Sequence, residues 1–377
     1  MKQVFIVGAG ITGSVIARVL AEKGCSVTII ERRGHIAGNL FDYPDKAGII
    51  VHQYGPHIFH TNDEKVFSFI NRFGKWDPFR LVCKAEIQGK ETDSPFNFQT
   101  IDDFFGSEAE ELKNRIRTCY PGQTSAFVLD VLHAKDEKIR KYAEFLWEND
   151  YRPYTAKQWG IPPETIDPQV LKRVPLRFSY DDSYFSDKYQ VMPRGGYTPF
   201  IQEMLSHRNI KVCLEQDALK LFTLAADGQS LCRNGEKEFH VFYTGPVDEL
   251  FQCRYGILPY RSLRFEWKHE EIPSFQSAAV VAYPQRPGYT RITEYSKLPV
   301  QSGKGTTYAL EYPLKYEFGK NEPYYPVPTE ESLSLYKKYA ELASQVRNLT
   351  LAGRLAEFKY YNMDQAMARA LEIAEQF

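Results

Sequence analysis

No apolar run in the 377 residues reaches the length needed to cross a bilayer, and the one near the N-terminus ("MKQVFIVGAG") is broken by glycines before a signal-peptide core is complete. A cytoplasmic protein with no membrane partner is expected. Neither sign of charge prevails: 47 Lys and Arg stand against 48 Asp and Glu. No global field therefore favours nucleic acid or an anionic membrane, and any anion has to be held by locally placed groups. The six cysteines (Cys25, Cys83, Cys119, Cys213, Cys232, Cys253) include no C-x-x-C pair and have no His at metal spacing. That leaves no readable metal site and fits buried or incidental thiols in a reducing compartment. Internal repeats and low-complexity segments are also missing. What is abundant is aromatic: 25 Phe, 25 Tyr and 4 Trp, the tyrosines grouped with Pro and Arg at 142–197 and 308–361. Tyrosine combines a stacking face with a hydroxyl donor, although aromatics also simply fill cores.

The N-terminal unit is the most informative stretch. Residues 3–7 ("QVFIV") predict a buried strand, followed by "GAGITG", a helical pattern through "SVIARVLAEKG", and a second strand, "CSVTIIERR", that reaches Glu31. This is strand, Gly8-x-Gly10-x-x-Gly13, helix, strand, acid, with Glu31 18 residues beyond Gly13. Gly8 permits the tight turn, Gly10 lets a pyrophosphate approach the backbone, and Gly13 lets helix and strand pack. The helix N-terminus supplies N–H groups and the positive end of its dipole. A carboxylate at Glu31 suits a free ribose 2′-hydroxyl. FAD and NAD both satisfy these features. The continuation "ERRGHIAGN" (31–39) favours FAD, because two-dinucleotide-binding flavoproteins run a Gly-Gly pair here beside the pyrophosphate, with Arg32 and Asn39 flanking it. This chain has Ala37-Gly38, which costs little if residue 37 has φ < 0.

Residues 101–150 carry apolar positions at helical spacing among many charges and predict a small helical domain. Residues 151–200 and 255–330, rich in Pro, Tyr, Arg and Gly, predict strands and loops rather than helices. "NIKVCLEQDALKLFTL", "KEFHVFYTGPVDELF" and the final "LTLAGRL…MDQAMARALEIAEQF" read as returns to the nucleotide domain. The expected architecture is α/β. An FAD-binding Rossmann-like domain is assembled from 1–75, 201–250 and 331–377, with a helical domain at 101–150. An antiparallel-sheet substrate domain comes from 76–100, 151–200 and 251–330. Assembly from three pieces would bring Gly353 and Arg354 near Gly8 and Gly38, with Met363 opening the last helix.

Taken in order, "GAGITG", "ERRGHIAGN", "YGPHIFHTN", "YTAKQWG", "KRVPLRFSYDDSYFSDKYQ", "GGYT", "YTGPVDELFQCRYGILPYRSLRFE", "YTRITE", "EYP", "EPYYPV" and "AGRLAEFKYY" resemble the bacterial UDP-galactopyranose mutase family nearly end to end. The resemblance implies an FAD protein, a dinucleotide, a helical and an antiparallel-sheet domain, a homodimer, and a place in cell-surface polysaccharide biosynthesis. It also implies interconversion of pyranose and furanose forms of a nucleotide-linked sugar, UDP-galactose first, without net redox but with reduced flavin. Flavin N5 is then the nucleophile at the anomeric carbon, and the protein orients the reactants and stabilises charge. The absence of a Ser-His-Asp or paired-carboxylate constellation follows.

Residue by residue, Arg173 in "LKRVP" and Arg291 in "YTRIT" match the family's two diphosphate arginines, one of them on a mobile loop. The guanidinium fork binds phosphate oxygens bidentately and stays charged. Tyr184, Tyr325 and Tyr360 match hydroxyls that complete the phosphate grip. Tyr154, Trp159 and Phe185 match the base pocket. His57 and His60 match positions beside the flavin, where His60 either tunes flavin or sugar protonation or hydrogen-bonds in the core. Their i, i+3 spacing has no Cys or carboxylate to complete a metal site. Arg261 and Glu311 match positions near the active site that a structural ion pair would also explain.

Two departures bear on the sugar. Asn362 stands where the family has Asp, keeping hydrogen bonds and losing charge. Leu81 aligns where the family has an asparagine beside the sugar, and an apolar group there would suit a 6-deoxy sugar, making dTDP-fucopyranose the alternative substrate. Two readings of other classes stay open: an FAD amine oxidase, which would need no reductant, and a non-catalytic nucleotide-sugar binding protein.

Overall fold

The computed structural model describes residues 1–160 and 174–377. The apolar run at the N-terminus forms strand β1 (Gln3–Val7), followed by helix α1 (Ile11–Glu22) and strand β2 (Ser26–Ile30). Val4, Phe5 and Ile6 are all buried, as a central strand covered on both faces requires. A five-stranded parallel sheet grows on this unit in the order Ile210–Cys213, β2, β1, His240–Tyr243, Leu349–Leu351. α1 lies between this sheet and the C-terminal helix Met363–Gln376, so Val15, Ile16, Ala17 and Leu20 are fully buried. Gly13 makes the close packing possible: a Cβ there would stand 2.1 Å from the Gly8 carbonyl oxygen.

A second sheet has seven strands, in the order Tyr325–Pro326, Tyr260–Glu270, Thr306–Lys315, Arg291–Glu294, Val280–Ala282, Cys83–Ile87, Lys90–Ser94. Its pairings are antiparallel except one: Val280–Ala282 runs parallel to Cys83–Ile87, because these strands come from distant segments with no hairpin between them. A small three-stranded sheet, with Tyr189–Pro193 between Phe59–Thr61 and Trp76–Pro78, joins the two regions.

Helices fill 98–159, with Ile101, Leu112, Ile116, Ile139, Tyr142 and Leu146 in one buried cluster. Asn97 and Asp136 cap two of them by accepting backbone N–H groups from the first turn. The run extends past the expected limit. A π-helical turn (Trp147–Tyr151) leads into helix Arg152–Trp159, where strands and loops were expected. Pro153 follows directly on the π-helical turn, where the regular ladder of backbone bonds is already interrupted, so a residue without an N–H does not break the helix. Helix Tyr197–Leu205 is the second departure in that region. Gly196 (φ +104) precedes it, and a Cβ there would lie 2.7 Å from Asp42 Oδ2. Asp42 takes the N–H groups of Tyr197 (2.6 Å) and Thr198 (2.8 Å), so the "GGYT" stretch is the seat of a carboxylate cap.

Candidate functional site: a glycine cradle joined to an arginine–tyrosine pocket

At the carboxyl ends of the parallel strands the chain leaves the sheet at Gly8, Glu31, Thr244 and Gly353, and all four border one cavity. Open parallel sheets bind ligands at this end. The empty space, counted to the open mouth, is about 1240 Å³. The lining includes Gly8, Gly10, Gly13, Glu31, Arg32, Gly38, Asn39, His57, Gly353, Arg354 and Met363, together with Asn362. Apart from Asn362, expected at the substrate, those are the positions expected to hold a cofactor. Sequence reasoning missed Thr12, Arg33, Asp217, Leu219, Gly245 and Tyr324, which also border it. Asp217 left a signal: it N-caps the short helix Ala218–Leu221, accepting the Leu219 N–H (3.0 Å).

Backbone shapes this cavity. Gly8 (φ +103) turns the chain, and a Cβ on Gly38 (φ +56) would stand 2.8 Å from the Gly10 Cα. Two backbones thus meet where a pyrophosphate would pass. Ala37, expected at negative φ, has φ +72. The turn at 37–38 demands left-handed backbone at both residues, and alanine accepts it at a cost of ~1–2 kcal/mol. The Glu31 carboxylate accepts the N–H of Ala9 (2.8 Å) and of Arg33 (2.9 Å), tying the acid to the glycine turn. Each oxygen keeps a lone pair for a ribose hydroxyl.

His57 borders the cavity; its Nδ1 is buried and has no hydrogen-bond partner among the described residues. Burial, followed by the neighbouring His52 and Arg354, pushes His57 down to about 3, so it is neutral at pH 7. A glycine-lined cradle, a carboxylate at the second strand and an orphaned ring nitrogen fit a dinucleotide carrying a flat polar ring system. His60 is not among the lining residues. Its ring stacks on Phe185 (centroids 3.7 Å apart), and Nδ1 bonds Asp187 (2.9 Å). Asp187, which the sequence reading passed over, also takes Asn62 (2.9 Å).

Beyond Arg354 lies a second group of side chains. The Arg354 guanidinium sits 5.1 Å from the Tyr325 ring and 5.2 Å from the Tyr360 ring, which stack on each other at 5.6 Å. It also donates to the Tyr361 carbonyl (2.6 Å). Tyr360 packs with Trp159 and Val327. Arg291 opens strand Arg291–Glu294, and its Nε and Nη2 both reach Glu311 Oε2 (2.9 and 2.8 Å). Burial opposes its charge, but Glu311, Tyr154 and Tyr325 outweigh it and hold the guanidinium well above its ordinary range. Burial likewise raises Tyr154. Glu311 Oε1 is buried without a hydrogen-bond partner among the described residues. Arg261 donates Nε to the Gln158 carbonyl (3.0 Å) at the end of helix Arg152–Trp159, and it makes no ion pair among the described residues. Arg173 lies outside the described residues.

Tyr184 and Phe185 meet edge to face at 4.9 Å, at the end of a loop tied to its surroundings by charge. Arg80 pairs with Asp182, Arg177 pairs with Asp181, and Tyr180 donates to Asp102 (2.7 Å). The two departures have separate fates. Leu81 is 3% exposed, packed in the main core, and does not border the cavity. Its carbonyl accepts the Tyr184 N–H (2.8 Å), which ties it to the loop that carries Tyr184 and Phe185. Asn362 does border the cavity and is the N-cap of the final helix, where its N–H donates to Gln365 Oε1 (3.0 Å). That bond is made by the backbone N–H, which an aspartate would offer equally, so it gives no reason for an amide here.

Residues 150–360 match the family model for UDP-galactopyranose mutase, and residues 6–73 match an NAD(P)-binding Rossmann-like domain. A probable UDP-galactopyranose mutase of Klebsiella pneumoniae is 37% identical, covering 100% of this chain and 94% of its own. The chain belongs to the UDP-galactopyranose mutase family. The family includes mutases of more than one sugar: a dTDP-fucopyranose mutase of Escherichia coli is 36% identical, covering 100% of this chain and 98% of its own. A solved structure of reduced UDP-galactopyranose mutase superposes with a TM-score of 0.73 at 17% identity, covering 100% of this chain and 93% of that one. That likeness shows the shared fold.

Proposed function

We propose that the protein is a flavin-dependent nucleotide-sugar mutase that interconverts pyranose and furanose forms without net redox, with UDP-galactopyranose as its first substrate. The observation that carries this reading is Arg354, which borders the glycine cradle and also lies against the stacked Tyr325 and Tyr360. Cofactor and substrate sites then share a wall. FAD, when bound and reduced, supplies the nucleophile for the anomeric carbon. The chain supplies everything that holds the rest of the substrate. The glycine turns admit the pyrophosphate, and Glu31 takes ribose hydroxyls.

Arg291 commits Nε and Nη2 to Glu311 and keeps Nη1 for a phosphate oxygen of the substrate. Buried Glu311 fixes the fork, so little rotamer entropy is lost when the diphosphate arrives. Tyr325 and Tyr360 add hydroxyl donors, and Trp159, Tyr154 and Phe185 offer faces to the base. Arg173 is the second diphosphate cation in this reading. We also infer a cytoplasmic homodimer serving cell-surface polysaccharide synthesis, a role that the cofactor, reduced FAD, would support in a reducing compartment.

The test is furanose formation by dithionite-reduced protein from a panel of UDP- and dTDP-linked pyranoses. Conversion of UDP-galactopyranose ahead of the others supports the reading. Preference for dTDP-fucopyranose would move the substrate to the second relative's sugar. Oxygen consumption with an amine and no furanose product would reject the mutase altogether.

A further inference from the structure

Helix Arg152–Trp159 carries Tyr154, Lys157 and Trp159, with Lys157 one turn beyond Tyr154 on the same side of the helix. Its ammonium donates to three backbone carbonyls, Tyr283 (2.6 Å), Arg286 (2.6 Å) and Tyr289 (2.8 Å). Three donors meet three acceptors, so the group is satisfied only while protonated. All three carbonyls belong to the turn joining strands Val280–Ala282 and Arg291–Glu294, which ends two residues after Tyr289 in Arg291. The same turn is held from a second point, where Gln285 donates to Asn149 Oδ1 (2.9 Å) in the π-helical turn before the helix. Asp150 in that π-turn is buried and is the carboxylate that faces Lys157. The helix carrying two aromatics and the strand carrying the arginine come from segments more than 100 residues apart. Lys157 is the charged link between them.

We propose that Lys157 is a positioning residue: it fixes the helix bearing Tyr154 and Trp159 in register with Arg291, so that base and diphosphate are gripped at the correct separation. This rests on the mutase reading above and adds to it the residue that sets the pocket's span. Lys157 does not border the cavity and its ammonium is committed to the three carbonyls, so its effect on the substrate has to pass through the elements it joins. The π-turn matters here because such insertions loosen the regular ladder of a helix, leaving the following turns to be fixed by side chains.

The experiment is calorimetric titration of flavin-loaded native protein, Lys157→Met and Lys157→Arg with UDP and with dTDP, alongside flavin absorbance. Expected are unchanged flavin content, UDP binding weakened at least about tenfold in Lys157→Met, and recovery of most of it in Lys157→Arg, which keeps charged donors. A merely structural lysine would not couple to the pocket. Tyr154→Ala, which removes the face offered to the base, should therefore weaken UDP binding in the native background and have little further effect in Lys157→Met. Equal UDP affinity in native protein and Lys157→Met would overturn the proposal. If Lys157→Met purifies without flavin, Lys157→Gln replaces it, and equal affinity in Lys157→Gln and Lys157→Arg overturns the proposal in the same way. Native protein that binds neither nucleotide would reject the mutase reading itself, a different failure from an indifferent Lys157.

Discussion

The glycine cradle and the arginine–tyrosine pocket stand side by side, yet they are built by opposite means. The cradle is backbone: positive-φ turns at Gly8 and Gly38, a helix start, and one carboxylate tied to two N–H groups. The pocket is side chains, carried by a helix at 152–159, a loop at 184–185, strands at 291 and 325, and a turn at 360. Backbone sites tolerate almost no added atoms. Side-chain sites tolerate changes in proportion to what each group leaves unpaired.

The sharpest break of the cradle is Gly13→Ala. Its Cβ would stand 2.1 Å from a backbone oxygen that cannot yield, so the protein should purify without flavin colour, read by absorbance. Next comes Arg291→Ala, which leaves Glu311, 1% exposed, as a buried unpaired charge. A stability loss of ~3–5 kcal/mol in denaturant unfolding is expected. Turnover should fall by ~10² or more, since a preorganised charge on the leaving group is lost. Glu311→Gln, which removes the buried charge, should restore much of the stability of Arg291→Ala and little of its turnover. Equal recovery of both would blur the distinction between the two regions.

A smaller effect comes from acid. His52 and His57 are both pushed down to about 3, chiefly by burial. An unfolded histidine titrates near 6.5, so between that value and about 3 the unfolded state binds the extra protons and stability falls as pH falls. At pH 5 each buried histidine should remove about 2 kcal/mol, measured by denaturant unfolding from pH 7 to 5. His52→Gln should show the shallower slope, whatever its absolute stability. The smallest change expected is a gain. Ala37→Gly relieves a left-handed alanine and should stabilise the protein by about 1 kcal/mol, measured by denaturant unfolding.

The same contrast explains what was legible. The cradle is local: glycine spacing, the strand before it and the acid after it lie within 31 residues, and each has a steric reason that shows in the sequence. Pocket residues have no such pattern. Tyr325 and Tyr360 stack on each other only because a sheet edge and a post-strand turn converge on Arg354, and family resemblance, not spacing, singled them out. Helix Arg152–Trp159 was misjudged because proline and tyrosine discount a helix by composition, while position decides it. Leu81 is singled out by alignment alone; the structure adds that it is buried and that its carbonyl accepts the Tyr184 N–H. Asp187 and Lys157 were invisible because their partners lie more than 100 residues distant or are backbone carbonyls.

The most direct measurement of the central claim, a flavin-charged cradle feeding a diphosphate-sugar pocket, is the redox contrast on one sample. Purified protein is incubated with UDP-galactopyranose before and after dithionite reduction, and the furanose is quantified by chromatography. The account predicts ring contraction only after reduction, with the flavin unchanged in amount. No furanose from the reduced, flavin-loaded protein, or equal conversion in both redox states, would contradict it.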